Sequence, residues 1–178
     1  MENNGIGKLF EGVDRWTVLI YVLIVLVGFV AILSASYEEG AESIFSFSHF
    51  YMKQLVWMGI SFAVAVVVLL VDASIYHKWA YLFYVLGLLT LVAALLFGRE
   101  VNGAKAWFEI GSVRIQPVEF AKIATALALA RVMSSSSFSI NRAGDLFKVG
   151  LVICLPLLII VMQNDTGSGI VLVSLLFV

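Results

Sequence analysis

Glu119 and Lys122 stand three residues apart at the start of an apolar run, directly after the polar, aromatic-bearing tract Asn102–Gln116. At that spacing a carboxylate and an ammonium share one helical face. Charges so close to lipid are costly unless paired or turned toward a cavity, so they point to a site. Two readings stay open. In the first, Pro117 takes the first helical position, and Glu119 favours the positive end of the helix dipole and reaches back toward the Gln116 amide. That is a cap with an interfacial ion pair. In the second, Asp165, from the polar Gly-rich break Gln163–Gly169, meets Lys122 to form an intramembrane Glu119–Lys122–Asp165 cluster around a cavity. Such a cluster has one net negative charge, and deleting any member leaves a charge unpaired. Asp165 also has a simpler use, as an N-cap bonded to the amide of Thr166, Gly167 or Ser168.

The preceding tract supplies the other candidates: Gly103, Lys105, Trp107, Arg114 and Gln116. A cation beside an aromatic suits a diphosphate-linked sugar on a lipid carrier, with Lys or Arg on phosphate oxygens and Trp on the apolar sugar face. The plainer alternative is a solvated Lys105 and a Trp107 anchored at the membrane interface. His49 and His77 stand near the ends of apolar runs without a second ligand and read as interfacial. Cys154 lies in an apolar run and reads as a small buried thiol. As the single cysteine, it excludes a disulfide framework.

The elements that position these residues must be membrane helices. Of the 178 residues, 62% are hydrophobic and 13% charged, against about 45–50% and about 25% in soluble domains. A net charge of −1 leaves no basic footprint for nucleic acid. Trp16–Ser34, Leu55–Val71 and Tyr76–Phe97 each approach the roughly 20 apolar residues that a bilayer requires. Trp16, Tyr37, Trp57, Tyr76 and Trp79 mark their edges as an aromatic belt would. The first run is too long for a signal-peptide core and more runs follow, so it reads as a signal anchor despite Ser34-Ala35-Ser36.

Pro117–Met133 is a less hydrophobic fourth span, and Lys148–Met162, interrupted by Pro156, a short fifth. Short, Pro- and Gly-interrupted spans beside polar backbone point to a cavity. The expected fold is therefore an all-α polytopic bundle of about five full spans plus a truncated sixth. Residues 1–178 form a single integral membrane domain, with 98–116 as an outer loop and 134–147 as a cytoplasmic connection. With the N-terminus in the cytoplasm, Lys8, Arg15, Lys78, Arg131, Arg142 and Lys148 fall inside, and Lys53, Arg99, Lys105 and Arg114 outside. This is a weak positive-inside bias. It places the 98–116 loop, Glu119 and Asp165 toward the outer face. Ile170–Val178 is too short to cross, so the chain reads as the front part of a longer, about ten-span protein.

Several separate segments resemble the SEDS family (shape, elongation, division and sporulation), whose RodA and FtsW types polymerise lipid II into peptidoglycan. Leu33–Ser36 resembles the end of the family's first span, and Phe50–Trp57 the entry to its second. Asn102–Trp107 resembles its N-G-A-x-R-W loop, with Ala106 where the family has Arg. Gln116–Lys122 resembles its Q-P-S-E-x-x-K motif, with Val118 in place of Ser. Gln163–Gly167 resembles Q-P-D-x-G, with Asn164 in place of Pro. Glu119, Lys122 and Asp165 match. The chain is similar to the RodA type more than to the FtsW type.

The resemblance implies a glycosyltransferase of the bacterial cytoplasmic membrane that acts in cell elongation or division. It transfers the growing glycan from its lipid carrier to the 4-hydroxyl of an incoming lipid II. The family's catalytic Asp lies in a large outer loop of the second half, so no catalytic residue is expected here and this part alone should not polymerise. No cofactor is expected here either, although a divalent metal suits the full enzyme. Implied partners are lipid II, membrane lipids and a class B penicillin-binding protein. An intramembrane charge cluster also fits a flippase or ion-coupled transporter, and a part without catalysis fits a cell-shape scaffold.

Overall fold

The computed structural model describes residues 14–35, 50–111 and 113–177. Lys8, Tyr37 and His49, read above as an inner cation and interfacial side chains, lie outside them. The chain divides into two compact units, residues 1–72 and 73–178.

In the first unit, α1 (Arg15–Ala35) and α2 (Phe50–Leu70) are apolar on nearly every face, the pattern of helices that meet lipid. Asp14 starts α1: its carboxylate accepts from the Trp16 and Thr17 amides at 3.1 and 3.2 Å and from the Thr17 hydroxyl at 2.7 Å. This satisfies N–H groups that the first helical turn cannot pair itself. A cleft of about 370 Å³ between the two helices is lined by Val22, Leu26, Trp57 and Phe62.

The second unit packs α3 (Ala73–Phe97) against α4 (Pro117–Met133) and α5 (Ala143–Met162), and α6 (Thr166–Val173) against α5, with α6 running into a 3₁₀ turn over Ser174–Phe177. Small side chains let the backbones approach. A Cβ on Gly87 of α3 would sit 3.3 Å from the Ala121 Cα and 3.4 Å from the Ala124 Cβ of α4. Close backbone approach is the main source of helix association in lipid, where no hydrophobic drive operates between helices. Leu91, Val118, Ala121, Ile160 and Leu172 form the core, one or more from each of the four helices. Pro156 sits inside α5 and removes the N–H that would have bonded to Val152. The Tyr84 hydroxyl donates to that carbonyl at 3.0 Å.

Among the described residues four helices, α1, α2, α3 and α5, are long and apolar enough to cross a membrane, while α4 has 17 residues. The bundle is helical and polytopic as expected. Two local expectations are corrected. First, α5 begins at Ala143 and not at Lys148. Asp145 pairs with Lys148 one turn on at 2.9 Å and accepts the Ser139 amide at 3.2 Å, so polar residues read as connection form the first turn. Second, Cys154 is exposed and not buried. Residues 99–115 lie within the 98–116 segment read as an outer loop. They form an antiparallel sheet of order β1-β2-β3: β1 (Arg99–Val101), β2 (Ala104–Ile110) and β3 (Val113–Ile115).

Candidate functional site

The sheet is set by its turns. Asn102 and Gly103 both take positive φ, at 53° and 84°, as a two-residue type I′ hairpin requires. Val101 then faces Ala104, and Glu100 faces Lys105. The register slips before Arg99 pairs with Trp107, leaving Ala106 as the extra residue of a bulge. Ala106 is 1% exposed. The side chain standing where the resembling family has Arg is therefore packed inward and carries no charge.

The sheet docks on the polar break between α5 and α6. The Lys105 amide donates to the Gln163 carbonyl at 2.9 Å, and the Asn164 side-chain amide donates to the Gly103 carbonyl at 2.9 Å. Asn164 reaches this position with φ of 61°. Gln163 is 1% exposed, and its amide donates to the Leu91 carbonyl of α3 at 2.7 Å. One residue thus joins α3, the sheet and the α5–α6 break. Its Oε1 is buried and meets no donor among the described residues.

Each candidate has a definite place. Glu119 and Lys122 pair at 2.8 Å, with Lys122 largely covered and Glu119 more open. Asp165 caps α6, accepting the Ser168 amide at 3.2 Å, and takes a second bond from the Gln116 side-chain amide at 3.0 Å. Among the described residues no ion pair joins Asp165 to Lys122, so the three charges stand as two separately satisfied groups. The helix-cap use of Asp165 is present, and Gln116 ties it to the start of α4. Pro117 is at the first helical position as expected.

Lys105 extends its ammonium to the Leu96 carbonyl at 3.2 Å, beside the end of α3. Trp107 is half-buried in β2. Arg114 is committed to Glu109, directly opposite it across the strands, at 2.8 Å, and Arg99 reaches the same carboxylate at 2.6 Å. Two guanidiniums on one carboxylate leave one positive charge on the sheet. Glu109 and Arg99 were not among the sequence candidates. The signal that finds them is the alternation of β2 and β3 about the turn, which sets Glu109 opposite Arg114. Among the described residues, no group of three His, Cys, Asp or Glu side chains is placed to hold a metal ion.

The model of the FtsW/RodA/SpoVE family, described as cell cycle protein, matches residues 14–178. The chain is 28% identical over 173 residues to the "Probable peptidoglycan glycosyltransferase FtsW" of Thiomicrospira cyclica, covering 94% of this chain and 45% of that protein. It resembles the crystal structure of the rod shape determining protein RodA of Thermus thermophilus with a TM-score of 0.78 at 29% identity, over 92% of this chain and 51% of that one. A chain from a peptidoglycan synthase complex, solved in work on the coordination of polymerization and crosslinking, matches with a TM-score of 0.77 at 28% identity, over 92% of this chain and 45% of that one. The chain spans about half the length of these relatives.

Proposed function

The chain belongs to the FtsW/RodA/SpoVE family, and on that premise we propose that it is part of a polymerase that assembles peptidoglycan glycan strands from lipid II in the bacterial cytoplasmic membrane. In this reading the N-terminus is cytoplasmic, α4 is the fourth span, and the sheet faces outward. The observation that carries the proposal is the docking of the sheet on the α5–α6 break through Lys105, Gly103, Gln163 and Asn164. That docking makes a rigid polar wall out of a segment that would otherwise be a loop.

The single uncompensated charge of the Arg99–Glu109–Arg114 group suits the diphosphate of a lipid-linked sugar, with Lys105, opposite Glu100, as a further donor, and Trp107 suits the sugar face. The roles assigned to these side chains are binding and orientation. Transfer to the 4-hydroxyl and removal of its proton fall to a carboxylate outside this part of the enzyme. A class B penicillin-binding protein is the proposed partner that crosslinks the product.

The test is a chimaera in which residues 14–178 replace the matching part of a family member with measurable lipid II polymerisation. It is expected to form glycan chains in detergent with lipid II. Lys122→Ala should abolish most of that product, since it removes the largely covered cation that holds Glu119 at the entry of α4. Lys105→Ala should cost less, because the backbone amide that docks the sheet remains. A chimaera that is monodisperse yet forms no chains, or full activity of its Lys122→Ala version, would refute the proposal.

A further inference from the structure

A second polar cleft, of about 150 Å³, lies at the end of the 73–178 unit away from the sheet, where α3 begins, α4 ends and α5 begins. Its lining includes Tyr81, Arg131, Ser135, Ser137, Asp145 and Lys148. Arg131 is held in place: its guanidinium donates to the carbonyls of His77 and Lys78, the second at 2.6 Å, and its Cζ lies 4.8 Å from the centroid of the Tyr81 ring. Lys148 pairs with Asp145 but keeps 66% of its side chain exposed. The Ser135 and Ser137 hydroxyl oxygens are 3.1 Å apart, and Arg142 donates to the Ser137 carbonyl at 3.1 Å. Arg131 and Lys148 thus line the cleft with the single carboxylate of Asp145, and Arg142 is tied to its edge through Ser137. None of these groups has a part in the proposed polymerase site.

We propose that this cleft binds the phosphate of an anionic phospholipid headgroup. The excess charge of +2 from Arg131, Arg142, Lys148 and Asp145 suits a phosphodiester that carries no compensating cation. A zwitterionic headgroup would bring its own cation into the same field. Lys148 and the serine hydroxyls offer donors inside the cleft, where the bond from Lys148 to a phosphate is charge-assisted, and Arg142 adds its charge from the edge. Leu146 and Phe147, on the same first turns of α5, are exposed at 48% and 71% and give the acyl chains an apolar surface to run along. Basic pockets between helices at a bilayer surface hold lipid headgroups in this way.

The shared chemistry is a phosphate, so the test must separate a lipid from free phosphate. The purified chain, exchanged into detergent with equimolar phosphatidylglycerol and phosphatidylcholine, is analysed by native mass spectrometry. One phosphatidylglycerol should be retained in preference to phosphatidylcholine. Lys148→Gln and Arg142→Gln should each weaken its retention about fivefold, the effect of one cation near a membrane surface. Asp145→Asn should strengthen retention, a change of opposite sign that misfolding does not produce. Inorganic phosphate in large excess should leave the bound lipid in place.

Equal retention of the two lipids would overturn the inference, as would weakening by Asp145→Asn or complete displacement by inorganic phosphate. The experiment involves no glycan synthesis, so its failure leaves the polymerase reading untouched, and the converse holds.

Discussion

The Tyr84 hydroxyl donates across 3.0 Å to the Val152 carbonyl, the acceptor in α5 that Pro156 leaves without its helical donor. The bond crosses from α3 to α5 and removes the main cost of a proline inside a membrane helix, an unpaired carbonyl in hydrocarbon. Tyr84→Phe should therefore destabilise the bundle by about 1–3 kcal/mol. In a Pro156→Ala background, position 156 regains its N–H and Val152 its helical partner, so the same substitution should cost much less. Thermal unfolding of the four proteins in detergent measures this coupling. Equal losses in the two backgrounds would show that Tyr84 acts by packing alone.

Gln116 and Asp165 provide a second cross-helix link, from the entry of α4 to the cap of α6. Asp165→Ala removes both the cap and the acceptor of Gln116, and the loss of the cap alone costs about 1 kcal/mol. Gln116→Leu leaves the cap in place. Hydrogen exchange at the Ser168 amide should accelerate in Asp165→Ala and stay close to wild type in Gln116→Leu. Similar acceleration in both would mean that the interhelical bond, and not the cap, holds that turn.

Gly87 is a point of close backbone approach in the α3–α4 contact. Gly87→Leu has no room for its side chain and should cost about 1–3 kcal/mol by forcing the helices apart. A Cβ added at Gly28 of α1 would meet nothing within 4 Å, so Gly28→Leu serves as the matched control and should leave the melting temperature nearly unchanged. If the two substitutions behave alike, close α3–α4 packing does not limit stability.

Asp14, outside the spanning segment, is held below its ordinary value of 3.8 chiefly by the Thr17 hydroxyl, with the Trp16 amide next. A carboxyl whose folded value is depressed adds stability above its unfolded value and loses it as pH falls through the folded one. The Trp16 and Thr17 amide resonances should titrate together with a midpoint below 3.8, and Asp14→Asn should abolish the transition. A midpoint at or above 3.8 would show that the cap does not favour the ionised form.

Much of the site was legible because its signals are local. Pro117 before Glu119 and Lys122 foretold the helix start, and Asp165 ahead of Ser168 foretold the cap. The sheet was legible as well, but only when the 99–115 tract is read for alternation and not for polarity. Asn102-Gly103 between alternating residues is a hairpin signal, whereas polarity alone suggests a loop. The start of α5 was hidden for a similar reason: a hydropathy threshold stops at Lys148 and skips Asp145, whose pairing with Lys148 is what allows a polar first turn.

The amino-acid sequence by itself determined the membrane class, the apolar helices and the order of the polar motifs, since hydropathy and helical period depend on neighbours a few residues apart. It could not determine partners. Gln116 with Asp165, Tyr84 with Val152 and Gln163 with Leu91 are separated by 49, 68 and 72 residues. Which groups meet at those distances depends on the rotation and depth at which the helices pack. The Gly87–Ala121 contact and the shared core set that register. Only the tertiary structure could decide that Asp165 is bonded by Gln116 and that Lys122 is paired with Glu119, because the two arrangements open to Asp165 share the same local sequence and differ only in how α4 and α6 approach.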